Sequence, residues 1–149
     1  MINDIILDSN NYVAEFSSRY GGNCYRLIHK ESRADVFRFP EDENDLQNEI
    51  FLFGNPILFP PNRIRNGSFI FEGREYRLPV NEPENGCHIH GDLYRRYFRP
   101  DRISDNQVDF YYSSNEKEYI GFLNSFDIIR HYTLDENGLC EVTEIRNLS

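Results

Sequence analysis

Asn62 and Arg63 come directly after a connection framed by Pro56, Pro60 and Pro61, and His88 and His90 stand two residues apart further along the chain. The prolines cannot donate to a β-ladder and lower the entropy of the loop they frame, so Asn62 and Arg63 are held in place at low entropic cost. An arginine offers five donors in a planar fork, and an adjacent asparagine adds a donor and an acceptor. Together they suit the hydroxyls and ring oxygen of a sugar. The bland reading of the same pair, a turn asparagine beside a surface arginine, competes with this one, and Arg65 keeps the bland reading.

On a strand, His88 and His90 would project from one face, which is one way to hold a metal ion, as in a cupin-like protein. No carboxylate-and-imidazole set comes after them, and Arg95 and Arg96 would oppose a bound cation, so no metal and no cofactor is expected. A neutral imidazole can instead donate to or accept from a hydroxyl. His29 and His131 have no companion motif and are expected to be structural.

The elements that must carry these groups read as strands. The stretch 12–17, the turn at Gly21 and Gly22, and the stretch 23–29 make two adjacent strands. Val36 to Phe39 reads as a further short strand ended by Pro40, and the acidic stretch Glu41 to Ile50 as the first plausible helical turn. Phe69 to Phe71, the turn Glu72–Gly73 and Arg74 to Leu78 form the clearest hairpin. Strands are expected at 107–112 and 126–134, with room for a short helix within 113–124. A turn at Asp135 to Gly138 leads into a last strand, 139–146. This series predicts an all-β antiparallel sandwich in one domain, 1–149. Its last strand runs almost to Ser149, so the sandwich is expected to be incomplete at the C-terminus, with an exposed edge that invites self-association.

Composition agrees: ten Tyr, twelve Phe and no Trp favour strands. Twenty-five acidic against sixteen basic residues give a charge of −9, which repels phosphate backbones and anionic lipid, so neither nucleic acid nor a membrane surface is an expected partner. Three cysteines, Cys24, Cys87 and Cys140, form no CxxC pair and point to a reducing cytoplasm. No apolar run approaches the roughly 18 residues of a membrane helix.

Four ordered pieces now combine: the run FPPNRIRNG from Phe59 to Gly67, the hairpin from Phe69 to Leu78, Asn81, and HIHG from His88 to Gly91. In that order they resemble the aldose 1-epimerase (galactose mutarotase) family. The resemblance implies a galactose mutarotase-like supersandwich, of which this chain is the N-terminal part, binding an aldohexose. Asn62, Arg63 and His90 match the family's substrate-binding positions. Arg63 and His90 would position the sugar and stabilise charge, and His88 has no secure counterpart. In the family the catalytic glutamate and a second histidine lie in the C-terminal half, so this chain is expected to need a C-terminal partner chain for mutarotation. A non-catalytic carbohydrate-binding remnant is the alternative.

Overall fold

In a computed structural model of the chain, residues 5–114, 119 and 121–149 are described. Two four-stranded antiparallel sheets dominate. The first has the order β1 (Ile5–Asp8), β2 (Tyr12–Ser17), β3 (Asn23–His29), β4 (Ala34–Asp35). The second contains β9 (Arg99–Ser104), β10 (Gln107–Ser113), β11 (Phe126–Leu134) and β12 (Leu139–Asn147), with β12 and β9 at its edges. Between them in sequence lie two small ribbons, β5 (Arg63–Arg65) with β8 (Cys87–Ile89), and β6 (Ser68–Phe71) with β7 (Arg74–Arg77).

Period-two alternation decides which side chains meet. Val108, Phe110 and Tyr112 from β10, and Ile128, Tyr132 and Leu134 from β11, share one buried cluster with Leu7, Ala14, Phe16 and Leu27 of the first sheet. Phe16 packs edge-on against Tyr132 at a centroid distance of 4.8 Å and tilts against Phe110 at 5.7 Å. Aromatic contacts of this kind add about 0.5–1.5 kcal/mol each beyond the area they bury. The two sheets are thus the layers of a sandwich, as the strand pattern predicts.

The hairpin β6–β7 turns at Glu72 and Gly73, both with positive φ (49° and 74°), the geometry in which a two-residue turn matches strand twist. The acidic stretch forms α1 (Glu43–Glu49). Asp42 caps it, accepting from the Asn44 and Asp45 amides at 2.7 and 3.2 Å. Leu46 and Ile50, four apart, bury completely against Tyr25, Phe53 and Tyr94. That burial stabilises the segment by roughly 1.5–3 kcal/mol per side chain.

Two features depart from the sequence pattern. Val36 to Phe39 is not a strand: the pairing is made by Ala34 and Asp35, whose backbone reaches His29 and Ile28, and the chain leaves the sheet after one more bond, from the Val36 amide to the Leu27 carbonyl at 2.7 Å. β1 and β9 go unread because each is short or rich in charge. The helix expected within 113–124 falls mostly outside the described residues.

Candidate functional site

The ribbon β5–β8 sets the site. It pairs Arg63 with Ile89, Ile64 with His88 and Arg65 with Cys87. At its end the His90 amide donates to the Asn62 carbonyl at 3.1 Å, and both residues have positive φ, 62° and 64°. A non-glycine residue in that region is uncommon and is held there by its surroundings. Asn81 supplies part of the hold, bonding both backbone groups of Ile89: its Nδ2 donates to the carbonyl at 2.9 Å and its Oδ1 accepts from the amide at 2.6 Å.

Gly91 supplies the rest. Its φ is 66°, and a Cβ placed on it would lie 1.7 Å from the Phe59 carbonyl oxygen, so only glycine fits. Phe59 and Gly91 form a bridge, and the Tyr119 hydroxyl donates to the same carbonyl. The proline-framed loop is therefore anchored against the strand end that carries His90.

The positive φ of His90 breaks the alternation that would have put both histidines on one face. His88 is 3% exposed; its Nδ1 lies 2.7 Å from the Pro79 carbonyl, and it lines a cavity of about 130 Å³ with Asp92 and Arg96. His90 lines a different and larger cleft of about 490 Å³. Among the described residues no group of three or more His, Cys, Asp or Glu side chains is placed to hold a metal ion.

Arg63, Asn81, Glu82, His90, Tyr94 and Phe51 line that cleft, with Asn48, Glu84, Ile89 and Arg95 completing it. Arg63 forms a two-pronged contact with Glu82, Nε to Oε2 at 2.6 Å and Nη2 to Oε1 at 2.7 Å. Each partner steadies the other's charge: the carboxylate raises the guanidinium's pKa, and the guanidinium's hydrogen bond lowers that of Glu82. Phe51 is 42% exposed and tilts toward His90 (6.2 Å), with its edge toward Tyr94 (6.3 Å), giving an aromatic surface beside the polar groups. The Nδ1 of His90 is buried with no hydrogen-bond partner among the described residues. An orphaned buried nitrogen of this kind is where a water or a ligand hydroxyl completes the bonding.

The structure brings Arg63 and His90 into one cleft. Asn62 joins them through its backbone, while its exposed side chain is not part of the cleft lining. Sequence reasoning missed Glu82, Phe51, Tyr94 and Arg95. Glu82 had a usable signal, because an arginine fork held on a strand is best satisfied by a carboxylate and Glu82 comes directly after Asn81 in the matched segment. A second groove of about 360 Å³ lies on the outer face of β10, β11 and β12, lined by Arg99, Tyr111, Asp127, Ile129 and Arg146. It contains none of the residues expected at the site.

A sandwich carrying this proline loop and histidine turn matches known proteins. Residues 4–149 match the family model for aldose 1-epimerase, and the chain belongs to that family. It is 31% identical over 104 residues to the galactose mutarotase of Bos taurus, a match covering 70% of this chain and 30% of that protein. An uncharacterised Escherichia coli protein, YihR, is 40% identical over 53 residues, 35% of this chain and 17% of its own length. The crystal structure of a galactose mutarotase-like protein from Clostridium acetobutylicum superposes with a TM-score of 0.87 at 27% identity, covering 97% of this chain and 45% of that one. The chain thus spans less than half the length of these relatives.

Proposed function

We propose that the cleft between Arg63 and His90 binds a hexopyranose, and that the chain serves an aldose 1-epimerase-type interconversion of α and β anomers. The observation that carries this reading is the shared cleft itself: a charged fork, a histidine and an exposed aromatic ring within a space of about 490 Å³. Arg63 and His90 position the sugar and stabilise charge on its oxygens, and Asn62 sets the backbone turn beside them. Phe51 offers a face to the C–H side of the ring.

Opening a pyranose needs a base at the anomeric hydroxyl and an acid at the ring oxygen, each within hydrogen-bond reach. Glu82 is committed to Arg63 and is a poor proton acceptor, since its pKa is lowered. We therefore assign both proton transfers to a C-terminal segment that completes the sandwich, with 1–149 as its N-terminal part. Binding ground and transition states alike does not speed a reaction, so the chain by itself binds without turnover. Three free cysteines, two of them buried, are in keeping with a reducing cytoplasm. Among the described residues no helix is long and apolar enough to cross a membrane.

Polarimetry of α-D-galactose and α-D-glucose decides the matter. Mixing the chain with a C-terminal family segment is expected to raise the rate of mutarotation, and Arg63→Ala or His90→Ala to abolish the gain. A mixed sample that mutarotates no faster than buffer, while sugar still raises the melting temperature of this chain, leaves carbohydrate binding without catalysis. If sugar alters neither, the assignment fails.

A further inference from the structure

Glu82 is held more firmly than a surface carboxylate. Its backbone forms a bridge with Cys87: the Glu82 amide donates to the Cys87 carbonyl at 3.0 Å, and the Cys87 amide to the Glu82 carbonyl at 3.1 Å. The Asn85 amide donates to the same carbonyl at 3.2 Å. Pro83 follows directly and restricts the turn. The Glu82 side chain is 12% exposed against 56% for Arg63, so the guanidinium is the more open partner of the pair.

A guanidinium has five N–H donors, and the contact with Glu82 uses two of them, one on Nε and one on Nη2. The remaining donors can still serve hydroxyl oxygens. What the contact removes is uncompensated charge. A phosphate or carboxylate is bound best by the bidentate edge of an arginine whose charge is unspent. Here the Nε edge is occupied, and an anion at the remaining donors would stand close to the Glu82 carboxylate, where like charges repel.

The other described groups of the cleft add no surplus of positive charge. Arg95 is matched by Glu84, and its guanidinium lies over the Tyr94 ring at 5.5 Å. The overall charge of −9 opposes the approach of anions from further away.

We propose that Glu82 is a specificity-determining residue: by compensating the Arg63 guanidinium it makes the cleft select an uncharged sugar over one that carries a phosphate or carboxylate group. This rests on the assignment of the cleft to a hexopyranose.

Titration with galactose, galacturonate and galactose 6-phosphate at fixed salt, followed on the Arg63 Nε–H and His90 signals in NMR, tests it. The wild-type chain is expected to bind galactose about tenfold or more tighter than either anionic sugar. Glu82→Gln keeps the shape of the side chain and removes its charge. It is expected to raise the affinity for both anionic sugars about tenfold or more, while galactose gains nothing. Glu82→Asp keeps the charge and is expected to keep the selection. Inorganic phosphate alone is expected to shift the Arg63 Nε–H signal in Glu82→Gln and not in the wild type.

A wild-type chain that takes galacturonate as well as galactose overturns the proposal and leaves the sugar site standing. So does a Glu82→Gln chain that gains no affinity for the anionic sugars or for inorganic phosphate. If no sugar binds either chain, the cleft assignment fails and the selection falls with it, whatever inorganic phosphate does.

Discussion

Two arginine–carboxylate pairs in the molecule differ in what surrounds them. Arg130 is 2% exposed, on the core-facing row of β11 with Ile128 and Tyr132. Its Nε donates to Glu141 at 2.7 Å, Nη1 to the Gly21 carbonyl at 2.8 Å and Nη2 to the Asn55 carbonyl at 2.7 Å. Asn55 closes the knot by donating to Glu141 at 2.7 Å. Every prong of that fork is used on the protein itself, so it joins the second sheet to the first and to the start of the proline loop. Arg63, with a side chain 56% exposed, spends two prongs on one carboxylate at the cleft wall. The same functional groups act as a structural tie where water is excluded, and under the proposed function they serve as a pre-set recognition group where it is not.

The sharpest way to break this contrast is at Arg130. Arg130→Met takes from Glu141 its charged partner and leaves the Gly21 and Asn55 carbonyls without the Arg130 donors, and is expected to destabilise the chain by about 3–5 kcal/mol in urea denaturation. Gly91→Ala comes next: the Phe59 carbonyl must move to admit a Cβ, and the residue is strained at its φ of 66°, so a loss of about 1–3 kcal/mol is expected. That loss should be accompanied by loss of sugar binding, because the same turn aims His90. Arg63→Ala, by contrast, is expected to leave the melting temperature unchanged while removing the sugar response. If Arg63→Ala melts the chain as readily as Arg130→Met, the division between the two pairs is wrong.

Acid provides a reversible version of the same test. The Glu82 pKa is lowered by Arg63, so the fork is fully formed above the ordinary carboxylate range and opens only as pH falls through the depressed value. Arg63 remains charged throughout. Its Nε–H signal in NMR is expected to hold its bonded position through the ordinary carboxylate range and shift only in stronger acid. The smallest effect concerns the thiols. Burial pushes Cys24 up to about 12, and it should resist alkylation at neutral pH while exposed Cys140 reacts, as peptide mass mapping would show.

Much of this was legible in the residues. Gly73 in a two-residue turn and the aromatic arms around it announce β6–β7, and Asp135 to Gly138 announces the turn between β11 and β12. The segment from Phe59 to Gly91 reads as one functional unit because its prolines and its histidine turn are contiguous in sequence. What stayed hidden depends on contacts between distant positions. β5 and β8 are three residues each and exist through their mutual register. Glu82 meets Arg63 only after that ribbon forms, and Asn62 meets His90 through its backbone carbonyl.

Arg130 left a trace that could have been read. Phe126, Ile128, Tyr132 and Leu134 mark one face of β11 as buried, and Arg130 falls in that row, where a charge demands a partner from elsewhere. Glu141, on the neighbouring strand's inward row, is the matching anomaly. The failed strand at Val36 to Phe39 has the opposite cause: its side chains have strand propensity, yet the paired strand of the first sheet is Ala34–Asp35, and only the Val36 amide extends the ladder, by one bond to Leu27.

The central claim is that a pyranose seats between Arg63 and His90, and titration of the isotopically labelled chain with galactose and glucose, followed residue by residue in NMR, tests it most directly. Saturable shifts confined to Asn81, Ile89, His90, Tyr94 and the Arg63 side chain are the predicted outcome. Shifts gathered instead on Tyr111, Asp127 and Ile129, in the groove outside the second sheet, would contradict it.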